Sequence, residues 1–268
     1  MTYAPVDLFD LGLAATLVVI NGALSLALQL GLFRQLVIAT MRMLVQLTLV
    51  GLVLTTLFEM VSPEWTAFAA LAMVAFAGYE IRARQERKLA GWWSYGLGTS
   101  SILFAAMLVM IFTLTTQLEA DPWYHPRYAL PILGMILGNT MTGIGLGLQT
   151  LTIGLVRERA AVEAQLCLGA TRHIAMLPVT REALRSGMMP TINAMAATGL
   201  VYLPGMMTGQ ILAGIEPTQA VRYQLLIMFL IAGGTALGTM GAVLAAGIRL
   251  SDGRHRLRLD RLSAKGTA

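Results

Sequence analysis

Side chains able to do chemistry are scarce in this chain of 268 residues, and they are concentrated in a few places. The densest group is Val156 to Pro178, VRERAAVEAQLCLGATRHIAMLP, which carries Arg157, Glu158, Arg159, Glu163 and Arg172. Strong helix formers run from Ala160 to Leu168, and Gly169 is positioned to stop them, so a short polar helix is expected. Ala161, Ala164 and Leu168 fall on one stripe of it, with Arg159 and Glu163 opposite. Small residues beside charges of both signs suit close docking of another protein, with the charges fixing register more than affinity.

A second set of polar residues sits inside apolar stretches. Arg42 and Gln46 share a face at i,i+4. They could line a polar path, or Arg42 could simply reach back to water near Arg34. Asn139 and Thr142 lie among glycines, where they could meet a partly dehydrated cation or bond between helices. Seventeen methionines include Met188-Met189 and Met206-Met207, with Met135, Met141 and Met195 nearby. Thioether sulfur is a soft ligand for Cu(I) and for passing contact with Fe(II), yet it is also adaptable core filler. The metal-ligand set therefore stays open. Pro204-Gly205 reads as a break, either a hinge or a fixed kink.

The absences exclude several function classes. No GxxxxGK[ST] segment is present and there are only two lysines, so the chain is not expected to bind ATP itself, nor to be an enzyme. The single cysteine, Cys167, rules out an internal disulfide or a multi-cysteine metal site. His125, His173 and His255 all fall in expected loops or the tail. Away from the span ends, essentially Arg42 alone is ionisable inside a span, which disfavours a gradient-driven carrier.

The elements that must position these residues are membrane helices. The chain is 56% hydrophobic and 12% charged, with mean hydropathy +0.70, the balance of an integral membrane protein. Seven apolar stretches are expected to cross about 30 Å of hydrocarbon, near 8–30, 36–58, 65–80, 97–118, 128–155, 190–213 and 223–248. Basic residues fall sixteen on one set of connections against two, Arg127 and Arg222, on the other, counting Arg181 and Arg185 as loop residues. That asymmetry predicts N-terminus out and C-terminus in, and it accounts for the net charge of +5 without a nucleic-acid partner. The fold class is thus all-α and polytopic, one permease-sized domain over 1–250 with a basic, solvated or membrane-lying tail at 251–268. The N-terminal MTYAPVDLFD lacks the basic residues of a cleavable signal. In the first span, Asn21 is expected to bond to a neighbouring helix. The fifth holds Gly134, Gly138, Gly143, Gly145, Gly147 and Gly154, and the seventh holds Gly234 and Gly238. Such small-residue faces pack closely, within a subunit or across a dimer.

The pattern Glu163-Ala164, Gly169, Leu177-Pro178 resembles the cytosolic EAA loop of ABC-transporter permeases, with a shorter gap between its Gly and its Leu-Pro. MRMLVQL (41–47), GNTMTG (138–143), VRERAAVEAQLCLGAT (156–171) and LVYLPGMMTGQILAG (200–214) resemble the bacterial FetB-type iron-export permeases and the related aluminium-tolerance permeases of plants. The resemblance covers nearly the whole chain. It implies a multi-pass protein of the bacterial inner membrane, a homodimer in the lipid bilayer, driven by a separate ATPase subunit that holds ATP and Mg. Its cargo would be iron moved out of the cytosol, with protection from peroxide stress. Arg157, Glu158, Arg159, Glu163, Ala164 and Gly169 would form the coupling helix within a cytosolic segment 156–178. Arg42, Gln46, Asn139, Thr142, Met195, Met206 and Met207 are the candidates for the pathway, and Pro204 and Gly205 for a hinge. The alternatives are a gradient-driven carrier of a small solute and a non-transporting protein that recruits a partner at its inner face.

Overall fold

The computed structural model describes residues 7–116 and 125–263. The expected aromatic outer loop at 117–124 and Lys265 lie outside them. The described residues form nine α-helices and one 3-10 turn, with isolated bridges in place of strands. They divide into two compact units, ending and beginning at Val61 and Ser62.

The first unit is a helical hairpin of α1 (Leu8–Ala27) and α2 (Phe33–Met60). Gly22 lets the Phe33 ring come close, and the Ser25 hydroxyl accepts a hydrogen bond from the Leu32 amide at 3.2 Å. Both helices expose apolar side chains almost all round, as a lipid-facing helix does. Asn21 departs from expectation: it is exposed, with no bond to a neighbouring helix among the described residues.

The second unit is built around α5 (Pro126–Arg157), a helix of 32 residues that packs against α3 (Pro63–Ala83), α4 (Trp93–Thr116), α7 (Arg172–Ala197) and α9 (Pro217–Arg249). Proline at the first turn of α3, α5 and α9 starts each helix where an amide hydrogen has no partner to lose. Between α5 and α7 lies α6 (Arg159–Cys167), and between α7 and α9 lies α8 (Gly205–Leu212). Gly169 and Gly214 stand at φ +90° and +94°, the left-handed conformation that ends α6 and α8.

Close approaches fix the register of the central three helices. Along α5, Gly143, Gly147 and Gly154 meet Gly187, Ala183 and Val179 of α7 in turn, so the two helices are antiparallel. Gly143 and Gly147 also meet Thr239 and Val243 of α9, which therefore runs parallel to α5. The glycine faces at 143/147 and 234/238 are spent on packing within this unit, whereas Gly138 faces open space.

One expected span is overturned. Six helices, α1 to α5 and α9, are long and apolar enough to cross a membrane, and none of them covers 190–213. That stretch is the last turns of α7, a non-helical passage at 198–204, and the eight-residue α8. Pro190 does not start a helix; with Pro178 it lies inside α7. The helix begins eighteen residues earlier because Ala175, Val179, Ala183, Gly187 and Thr191 recur at i,i+4 as a small, buried stripe against α5. Arg181 and Arg185, expected in a loop, consequently stand in mid-helix on its exposed side.

The tail also departs from expectation, because residues 251–263 are folded onto the end of α9, the start of α7 and the α3–α4 connection. Asp252 accepts from the amides of Arg254 and Arg256, and the Arg172 amide donates to His255 Nδ1 at 3.2 Å. The amides of Ala90 and Ser263 exchange bonds with Arg261 and Lys88 across the α3–α4 connection, both at 2.8 Å.

Candidate functional site

Polar groups inside an apolar helix bundle are costly unless paired, so unpaired ones mark positions of interest. Two amides stand out. Asn139, on the exposed side of α5, donates its side-chain N–H to the Met135 carbonyl at 2.8 Å, which leaves its own carbonyl oxygen free. Gln224, in the third turn of α9, is 7% exposed, and its side-chain oxygen has no hydrogen-bond partner. Both line one cavity of about 220 Å³, where α5, the end of α7, the start of α8 and α9 come together.

The remaining walls of that cavity are soft. Met135 of α5, Met206 of α8 and Met228 of α9 line it, along with Thr191 and Tyr202. The Tyr202 hydroxyl is held at 3.4 Å from the Ala194 carbonyl and accepts from Thr198 at 3.2 Å. This ties the non-helical passage to the last turn of α7. Pro204 and Gly205 also line the cavity, at the point where α8 begins. The expected break is therefore real, although it spans 198–204, with Gly199 at φ +89°. Beside it, a cavity of about 420 Å³ shares Met135, Met206 and Ile227 with the first and adds Gln210, a half-buried amide whose buried oxygen is unpartnered.

On the opposite side of the bundle a larger cavity, about 550 Å³, opens between α5, α6 and α7. Gln149, Arg157, Glu158, Gln165 and Glu182 supply its polar lining. Asn139, Thr142, Leu146, Gln149 and Ile153 follow the three-and-four spacing of one α5 face, so that face runs from one cavity to the other. Thr142 itself is half-buried and donates to the Gly138 carbonyl at 3.0 Å.

The short helix α6 forms part of this larger cavity's wall through Ala161 and Val162, with Val162 buried and Ala160, Ala161, Ala164 and Leu168 exposed. Its charges pair with one another, Arg159 Nε to Glu163 Oε1 at 2.8 Å and Arg157 Nε to Glu158 Oε1 at 3.0 Å. All four are substantially exposed, so these pairs organise a surface and add little stability. Leu177 and Pro178 belong to α7, one helix beyond.

The structure thus gathers Asn139, Met206, Pro204 and Gly205 around one cavity. It does not bring Met195, exposed on α7, or Met207, buried on α8, into that lining. Arg42 and Gln46 lie in the first unit, both exposed on α2. Gln224, Gln149 and Glu182 were not singled out by sequence. For Glu182, the buried i,i+4 stripe of α7 is the signal that places it on a long helix instead of in a loop. Among the described residues no three His, Cys, Asp or Glu side chains converge as a metal cluster.

The family model described as "Uncharacterised protein family (UPF0014)" matches residues 8–250. The chain belongs to the UPF0014 family. Among its relatives, "UPF0014 membrane protein slr1647" of Synechocystis sp. is 37% identical over 231 residues, covering 85% of this chain and 86% of its own. "Protein ALUMINUM SENSITIVE 3" of Arabidopsis thaliana is 33% identical over 233 residues, covering 85% and 82%. "Probable iron export permease protein FetB" of Escherichia coli is 29% identical over 256 residues, 96% of both chains. No solved structure matches. UPF0014 membership and six long apolar helices make this a multi-pass membrane protein, and the expected all-α, polytopic fold class is the one found.

Proposed function

We propose that this UPF0014 protein is the permease subunit of an ABC transporter in the bacterial inner membrane, working as a homodimer that exports iron from the cytosol. A separate subunit would bind and hydrolyse ATP. One observation carries the reading: α6 is a nine-residue helix outside the apolar spans, exposing small residues and paired charges, and it also walls the 550 Å³ cavity, the inner one on this reading. A partner that pushes on α6 therefore deforms the space through which a solute would pass. The near full-length similarity to a protein named "Probable iron export permease protein FetB" supports this choice of cargo and direction. On this reading α7 makes the seventh crossing, its charged side facing water or the second subunit, and N-out, C-in orientation follows. The 198–204 passage would be the hinge.

The test is co-expression with the neighbouring ATPase. A stable complex whose ATP turnover rises with Fe(II), and which moves Fe(II) in vesicles only with ATP, is the expected result. Full flux by the purified chain alone would overturn it.

Glu182 favours a second reading, a gradient-driven carrier, because it puts a titratable group on a long helix beside the inner cavity. That reading requires flux without any ATPase.

A further inference from the structure

The 220 Å³ cavity, outer to the α6 cavity on that reading, holds a combination of groups that packing alone does not call for. Two side-chain amides line it: Asn139, an exposed residue whose N–H goes to Met135 and whose oxygen is open to the cavity side, and Gln224, whose buried carbonyl oxygen has no hydrogen-bond partner. An orphaned buried carbonyl costs on the order of 1–3 kcal/mol, which is sustained where a ligand intermittently satisfies it. Three thioethers, from Met135, Met206 and Met228, line the same 220 Å³.

The chemistry of these donors specifies the ligand class. Every candidate donor is an oxygen or sulfur lone pair, and no Lys or Arg lines the cavity, so an anion has nothing to pair with. The C-terminal turn of α7 and the first residue of α8 both contribute wall, and their dipolar ends oppose one another, leaving the side chains to decide. No carboxylate lines it either, so the charge of a bound cation is not cancelled and occupancy is weak. Weak occupancy suits a site that must release as readily as it accepts. Thioethers select soft and borderline metal ions, whereas Mg²⁺ keeps several waters and Ca²⁺ gathers roughly six to eight oxygen ligands, more than this lining offers.

We propose that the cavity bounded by Asn139, Gln224, Met135, Met206 and Met228 is a transit site for a soft-to-borderline transition-metal cation in its low oxidation state, with two amide oxygens and thioether sulfurs replacing its water. The assignment deepens the permease reading and rests on it. It makes the cavity the step at which Fe(II) is distinguished from hard ions.

The experiment measures equilibrium Fe(II) binding to the full-length chain in lipid nanodiscs under anaerobic conditions, with and without a large excess of Mg²⁺. Wild type should bind Fe(II) undiminished by Mg²⁺. Met206→Leu and Gln224→Leu should each weaken binding tenfold or more, while Met240→Leu, on an exposed part of α9, should not. Met206→Leu is close to isosteric, and an unchanged thermal transition confirms that its fold is intact. No binding by wild type, equal competition by Mg²⁺, or wild-type binding in both variants would overturn the site. ATP-driven Fe(II) flux is recorded on the same variants in complex with the ATPase. Flux that persists in both at the wild-type rate rejects the site and keeps the permease reading; the binding pattern above without any ATPase complex keeps the site and rejects the ABC reading.

Discussion

Gly143 of α5 and Gly187 of α7 face each other so closely that a Cβ on either would stand 2.9 Å or 2.6 Å from the other's carbonyl oxygen. Backbone cannot step aside as a flexible side chain can, so an alanine at either position must push the helices apart. Gly143→Ala and Gly187→Ala should each cost roughly 1–3 kcal/mol by overpacking. Gly138→Ala, on the same helix but facing open space, should be neutral or stabilising by up to about 1 kcal/mol through helix propensity. Thermal unfolding midpoints in one detergent compare the three, and equal midpoints would mean that α5 and α7 are not packed in this register.

The α6 charges give a prediction that separates docking from stability. The Arg159–Glu163 pair is exposed, so by itself it contributes roughly 0–1 kcal/mol. Glu163→Lys should leave membrane insertion and the unfolding midpoint nearly unchanged while cutting recovery of the ATPase complex about tenfold. The exchange Arg159→Glu with Glu163→Arg restores the pair within α6 and should not restore the complex. Full recovery in the exchange variant would mean that α6 folding, not recognition of its charges, governs assembly.

Glu182 lies ten residues into α7, about 15 Å along its axis from Arg172. It is exposed and makes no ion pair among the described residues. On the proposed reading, in which α7 crosses the membrane, an ionised carboxylate facing hydrocarbon at such depth would cost about 2.5–3.5 kcal/mol on insertion scales, so a watery cavity or a second subunit would have to face it. Glu182→Gln should keep the ATPase complex and lower cargo flux several-fold, measured in proteoliposomes. Unaltered flux would leave Glu182 as a surface charge with no part in transport.

How much of this was legible in the sequence follows from where hydrophobicity and function coincide. The hydropathic runs located α1 to α5 and α9 to within a few residues, and Gly169 announced the end of α6, because burial and turn geometry both write strong local signals. Helix α7 was misplaced because Arg181, Glu182 and Arg185 lower its hydropathy, and only the buried Ala175–Thr191 stripe shows that one helix continues through them. The outer cavity was half visible. Asn139, Met206 and Pro204-Gly205 are conspicuous among apolar neighbours, but Gln224 sits near a helix start, where a polar residue is ordinary. Its encounter with Asn139 depends on α5 and α9 running parallel, a long-range fact with no local trace.

The folded tail yields a pH prediction. Asp252 accepts from the amides of Arg256 and Arg254 and from Arg256 Nε at 2.8 Å, and these bonds hold its carboxyl below the usual carboxylate value. A hydrogen bond from Arg258, reinforced by that residue's charge, brings Asp260 down to about 2. Each folded value is depressed from the ordinary 3.8, so each contribution is complete above 3.8 and is lost as pH falls through the folded value. Hydrogen exchange at 251–263, corrected for intrinsic rates, should show protection that is flat from neutral pH down to about 4 and falls toward 2. Asp252→Asn at neutral pH should reproduce the acid result at the Arg254 and Arg256 amides. Because Asp252 holds the start of α7, through Arg172 Nη1 to the Asp252 carbonyl at 3.2 Å, exchange at the first turn of α7 should quicken with it. Protection there that ignores both the substitution and the acid would show that α7 is fixed by its packing on α5 alone.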